Sequence, residues 1–341
     1  MIEERRYTSG RIAVANLSAA IDGLQRRRAE GAGFVELLTL SNLLFVRGDV
    51  LGRIADHDRA ERIATVAAEL SPDAAAALYI RARLAARFHR FDEAAALLDE
   101  ALAAGHPVRE IDVERAALCH ASGQYTRALA LRERLAAENP GIHTLGVLAT
   151  LLAEMGRWAA AEAAYAAALD ADSDVSPLAC GQLLFEWAVS AMRRGELDRA
   201  ETLFAELDAI LPQHVPARGH CAEVALARGQ LEIALALVAP LVDISDDPEY
   251  RATLAEILTA LGDAAGAARE ADCAAAAYDA LLARRPEAYA DHAAAFFMGI
   301  GNRPLLALAL AGKNWTLRDT PRSRSLLAQA QRGAAPVRRV A

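Results

Sequence analysis

One residue type recurs along this chain with a period that few architectures can produce. Ala60, Ala94, Ala128, Ala161, Ala200, Ala234, Ala267 and Ala307 follow one another at intervals of 34, 34, 33, 39, 34, 33 and 40 residues. Taken as position 20 of a repeating unit, they set unit starts at Ser41, Ala75, Arg109, Ile142, Gly181, Val215, Pro248 and Ala288. A period of this size marks a stacked array of small supersecondary units.

Other positions keep the same register. Position 8 is small in every unit: Gly48, Ala82, Ala116, Ala149, Ala188, Ala222, Ala255 and Ala295. Small residues at 8 and 20 let two antiparallel helices approach closely. Position 15 is Gly123, Gly156, Gly195, Gly229 and Gly262 in five units, where a left-handed residue ends the first helix. Position 17 is Phe91, Tyr125, Trp158, Leu197 or Leu231, an apolar lid for that turn. Position 32 is proline at Pro72, Pro140 and Pro212, which stops the second helix. Each unit therefore reads as a helix–turn–helix that buries its apolar face only by stacking on its neighbours. Hydrophobic residues make up 54% of the chain and aromatics only 5%, a balance suited to close helix packing through small side chains. No alternating run of β-branched or aromatic residues signals a strand.

The pattern resembles the tetratricopeptide repeat of the bacterial type, over about residues 35–320. It departs at the edges: unit 1 has Ala55 and unit 2 has His89 at the turn glycine, and unit 8 has Asn302. The resemblance implies an all-α, right-handed superhelical solenoid of about eight hairpins. Residues 1–34 read as a tail and a packing helix with an apolar stripe at Ile12, Leu17, Ile21 and Leu24. Residues 321–341 read as a capping helix, with Thr320 as N-cap and Pro321 at its first position, and a frayed tail from 333. The extra residues of unit 4 fall in the polar loop 171–177, and those of unit 7 lengthen its second helix through 274–286.

The formal charge is −8. Residues 1–28 carry +3 and residues 313–341 carry +6, which leaves −17 for the body between them. An acidic body poor in aromatics argues against nucleic acid as a partner. Cys119, Cys180, Cys221 and Cys273 form no CxxC pair and read as reduced small hydrophobes. The opening stretch MIEERRYTSG has no apolar core of a signal peptide, and no stretch of 18 uncharged apolar residues could span a membrane. The expectation is a cytoplasmic protein. No phosphate-binding loop, nucleophile elbow or zinc-protease motif occurs, so neither enzyme chemistry nor a cofactor is expected.

The resemblance also implies that positions 2, 5, 6, 9, 12 and 13 of the first helices line a concave groove. Here that groove would present Arg53, Tyr79, Arg83 and Arg87 at its start. Glu110, Glu114 and His143 follow, then Phe185, Glu186, Arg193, His220 and Glu223, and finally Glu256 and His292. The groove is thus basic at its start and acidic through its middle, fit for a peptide or protein segment of matching charge. Position 5 and 9 pairs such as Phe45/Asp49 and Tyr79/Arg83 lack the clamp with which co-chaperone relatives grip a terminal carboxylate. The reading is a non-enzymatic scaffold or adaptor, a monomer or weak homo-oligomer. Two alternatives stand beside it. One is a metal site built from Glu186, His220, Glu223 and Glu256, which share a similar height on neighbouring helices. The other is a self-assembling scaffold, against which the polar cap residues Arg322, Arg324, Gln329 and Gln331 argue.

Overall fold

The computed structural model describes residues 7–29, 31, 33–71 and 74–334. The expected stop at Pro72 and the tail beyond 334 lie outside the described residues. Helix α1 (Gly10–Ala29) leads into a series of hairpins: α2 (Phe34–Leu51) with α3 (Ile54–Leu70), and α4 (Ala75–Arg87) with α5 (Phe91–Ala103). Then come α6 (Val108–Ala121) with α7 (Tyr125–Glu138), α8 (Ile142–Glu154) with α9 (Trp158–Asp170), and α10 (Pro177–Arg193) with α11 (Leu197–Ile210). The last three hairpins are α12 (Val215–Ala227) with α13 (Leu231–Val238) and α14 (Leu241–Ile244), α15 (Pro248–Ala260) with α16 (Ala264–Arg284), and α17 (Ala290–Met298) with α18 (Pro304–Leu317). Helix α19 (Pro321–Ala334) closes the array. No strand occurs among the described residues.

The small residues lie where the helices cross. All eight position-20 alanines are buried. Position 8 is buried from Gly48 to Ala255, and a Cβ on Gly48 would strike the His57 ring. In the last hairpin the register moves by one residue: Ala295 is exposed and Ala294 is buried instead. The five turn glycines all have positive φ, from +72° at Gly229 to +86° at Gly123. His89 (φ 56°) and Asn302 (φ 45°) take the same conformation without glycine.

The first hairpin corrects the sequence reading. Its left-handed turn is Gly52 (φ 59°), not Ala55, and its first helix begins at Phe34. A glycine three residues earlier supplied the cheaper left-handed position. The second helix of the sixth hairpin is broken at Pro240, which has no N–H to continue the ladder. The cap helix starts as expected, with Ser323 N donating to Thr320 Oγ1 at 3.1 Å. On α1, Leu17, Ile21 and Leu24 are buried while Ile12 is exposed.

The array coils until its first hairpins meet its last. The turn of the first hairpin, at Gly52–Ala55, lies against the loop 244–246; Arg53 Nε donates to Ile244 O at 3.2 Å, and Ser245 Oγ donates to Gly52 O. The second turn meets the next loop, where His89 Nδ1 is 3.1 Å from Glu287 O. The third meets the loop before α19, where Arg318 Nε donates to Ala121 O at 3.2 Å. These bonded residues are separated by 193, 191, 198 and 197 positions, so one turn edge slides along one loop edge in constant register. Buried apolar contacts fill the seam: Ile54 and Phe88 cluster with Leu281, Ala288 and Tyr289, and Val50 and Leu51 join the core that holds Val215, Tyr250 and Leu254.

Candidate binding groove

All but Arg53 of the side chains expected to line the groove lie on the first helices of the hairpins, and several are bonded from one repeat to the next. Tyr79 Oη donates to Glu114 Oε1 at 3.2 Å, and Arg83 lies between Asn42 (3.0 Å) and Glu114 (3.2 Å), with its guanidinium over Phe45. Burial raises the Glu114 carboxyl above the ordinary carboxylate range, against the pull of Arg83. His120 Nε2 and Tyr125 Oη both lie 2.9 Å from Glu154 Oε2, and Arg193 reaches Glu154 Oε1 at 3.4 Å. Burial pushes Glu154 up, but these partners outweigh it and hold its carboxyl at about 2.

Further along, Phe185 packs between the rings of His214 and His220, and His220 Nδ1 is 2.8 Å from Glu223 Oε2. Glu186 has Gln182 as its hydrogen-bond partner at 3.0 Å, and burial raises its carboxyl. His292 Nδ1 lies 3.3 Å from Glu249 Oε2; the Glu249 and Asp291 charges raise the imidazole well above its usual range. Glu256 is exposed.

The basic start of the groove divides: Arg53 and Arg83 are half-buried, while Arg87 is exposed. Arg53 is in the seam, bonded to Ile244 O. Arg87 lies 3.8 Å from Asp49. Residues that sequence reasoning missed make this closure: Asp246, Ser245, Asp58, Glu61, Arg284, Arg285 and Arg318. Arg284 and Arg285 both reach Asp58 at 2.9 Å, and Arg285 also pairs with Glu61. Their common signal is separation by most of the chain, which no local pattern carries.

One stretch of the expected groove is exposed. On α6 and α8, Glu110 and His143 are exposed, as are the apolar Val113 (40%) and Val147 (45%). A cavity of about 40 Å³ between α8, α9 and α10 is lined by Thr150, Glu154, Trp158, Tyr165, Glu186 and Arg193, among others. Behind this floor Arg132 is buried; its Nη1 donates to Val147 O and its Nε has no partner. Among the described residues no three His, Cys, Asp or Glu side chains gather into a set that could hold a metal ion, and Glu186, His220, Glu223 and Glu256 do not form one. No helix among the described residues is long and apolar enough to cross a membrane.

Comparison with known proteins agrees with this architecture. Tetratricopeptide repeat models match residues 45–108 and 147–215, and residues 191–257. The chain belongs to the tetratricopeptide repeat family. Among solved structures it is similar to the APC/C hetero-tetramer Cut9–Hcn1, with 15% identity and a TM-score of 0.51, over 86% of this chain and 55% of that one. It also matches a tetratricopeptide repeat protein from Parabacteroides merdae ATCC 43184, with 18% identity over 87% and 98% of the two chains and a TM-score of 0.46. A third match is PilW, a type IV pilus biogenesis factor, with 18% identity over 62% and 94% and a TM-score of 0.47. No curated protein matches.

Proposed function

We propose that this protein is a binding scaffold that holds a peptide or an extended protein segment in the uncovered part of its concave face, across α6, α8 and α10. The observation that carries the reading is the contrast along the groove. Arg83, Glu114, Arg193 and His292 are held in pairs between repeats, whereas Val113, His143 and Val147 are exposed, as is Glu110, which meets His106 at 3.0 Å. Two exposed valines flanked by carboxylates suit a segment with apolar side chains and basic neighbours. Glu186 extends this stretch, since its carboxyl has an amide partner and, among the described residues, no cation within ion-pair distance.

A displayed library of random peptides tests this. Sequences enriched on the native chain should be rich in Lys, Arg and aliphatic residues, and should lose at least about tenfold in affinity on Val113→Asp with Val147→Asp. Peptides that bind the double variant as well as the native chain would sink the reading.

A further inference from the structure

Oxygen-bearing side chains dominate the walls of the cavity between α8, α9 and α10: Thr150 and Glu154 from α8, Tyr165 from α9, Glu186 and Ser190 from α10. Several of their acceptors are used by no donor among the described residues. Thr150 Oγ1 donates to Gly146 O at 3.2 Å, so the 3.1 Å contact between the two hydroxyls is Tyr165 donating to Thr150. The lone pairs of Tyr165 Oη are then left over, although the residue is only 1% exposed. Glu186 Oε1 accepts from Gln182 Nε2 at 3.0 Å. Among the described residues its Oε2 has no partner, and Ser190 makes no side-chain hydrogen bond. A buried acceptor without a donor costs free energy that a ligand with spare N–H groups recovers.

We infer that this cavity is a subsite for a primary ammonium group, in which a lysine of the bound segment donates to Glu186, Tyr165 and Ser190. The inference rests on the groove reading above and names one residue that the segment must carry.

Size and acceptor geometry select lysine over arginine. The cavity of about 40 Å³ is roughly three times the minimum for one water. It takes a compact ammonium at the end of its stem, and the N–H groups of that ammonium suit single acceptors on separate side chains. A guanidinium is a planar fork that pairs best with both oxygens of one carboxylate. Neither carboxylate offers them. His120 and Tyr125 lie 2.9 Å from Glu154 Oε2, Arg193 lies 3.4 Å from its Oε1, and Gln182 takes Glu186 Oε1.

The surroundings of Glu186 give the subsite a pH dependence. Its carboxyl faces Arg193 and Gln182 of its own helix, Glu154 of α8, Tyr165 of α9, Arg132 of α7 and His220 of α12. Burial raises it above the ordinary carboxylate range and Glu154 adds to the rise, against Arg193, Gln182 and His220. An ammonium in the cavity favours the ionised form, so it binds better as pH rises and Glu186 loses its proton.

The test uses the full chain and single residues as probes: N-acetyl-lysine methylamide, its arginine counterpart, and the Nε-acetylated lysine, which keeps the stem and loses the charge. The indole N–H of Trp158, on the cavity wall, reports binding by NMR and is assigned with Trp158→Phe. The lysine probe should saturate this signal at millimolar concentration, and the acetylated probe should leave it unmoved. Affinity should be at least about tenfold weaker for the arginine probe, and for the lysine probe on Glu186→Gln. Lysine affinity should rise with pH in the native chain and stay flat in Glu186→Gln. No shift with the lysine probe at about 100 mM overturns the subsite. Equal affinity for lysine and arginine, or the same pH profile in Glu186→Gln, overturns it too. The probe comparison needs only the native chain, so it decides the matter even where Glu186→Gln does not fold. The probes carry no aliphatic neighbour for Val113 and Val147, so the two readings fail separately. A silent lysine probe beside a library that enriches basic aliphatic peptides removes the subsite alone.

Discussion

Asp246 caps a helix that begins 192 residues before it: its Oδ1 accepts from Ile54 N at 2.7 Å and its Oδ2 from Ala55 N at 2.9 Å. Helix α3 has no capping side chain of its own at Arg53. A carboxylate at a helix start satisfies orphan amides and meets the positive end of the helix dipole. Asp246→Ala should therefore lower the unfolding free energy by about 1 kcal/mol, and Asp246→Asn by less. Denaturant unfolding of the two variants checks this, and equal loss in both would point to charge rather than capping.

Gly123 and Gly156 occupy the same position of successive repeats and share a left-handed backbone, φ 86° and 74°. Their surroundings differ. A Cβ on Gly156 meets nothing within 4 Å, whereas one on Gly123 would collide with the Asp319 carbonyl across the seam. Gly156→Ala should cost only the backbone term of about 1 kcal/mol. Gly123→Ala should cost more and should also speed amide exchange around Asp319 and Arg318. Equal melting shifts for the two variants would contradict the seam contact.

His292 lies among the charges of Glu249 from α15, Asp291 from its own helix and Arg322 from α19. The two carboxylates raise it from the ordinary histidine value of 6.5 to about 10, while burial and Arg322 oppose them. A group raised on folding contributes stability that is complete below its unfolded value and is lost as pH rises towards its folded one. The native melting temperature should thus fall between pH 7 and 10 more steeply than that of His292→Asn, and the two should converge at the alkaline end. Parallel curves would remove His292 from the account.

The repeat was legible because its cause is local. Ala60 through Ala307 must be small wherever two helices cross at one height, and a Gly or a substitute such as Asn302 must end each first helix. What failed also has a local cause: Gly52 offered the first hairpin an earlier turn than Ala55, and the last hairpin slid by one residue to bury Ala294. Helical spacing fixes which side chains share a face of each first helix. Their partners were not legible. Arg53 read as a free cation because the curvature that carries it to Ile244 is a sum of small rotations between repeats, and no single residue encodes it.

Arg132 is an arginine in a position that asks for an apolar side chain. It is only 6% exposed; its Nη1 donates to Val147 O, its Nε is unpartnered, and burial lowers its pKa to about 10. Glu154, Glu186 and Tyr165 attract the charge, yet no carboxylate reaches it as an ion pair among the described residues. A buried charge without a paired partner costs desolvation that a hydrophobe of similar length avoids. Arg132→Met should leave the unfolding free energy unchanged or raise it by about 1 kcal/mol. Arg132→Ala should lower it by about 2 kcal/mol or more through the cavity it leaves. Denaturant titration separates these outcomes. A Met variant as unstable as the Ala variant would mean that the guanidinium itself, through the Val147 carbonyl and the nearby carboxylates, holds the groove floor together.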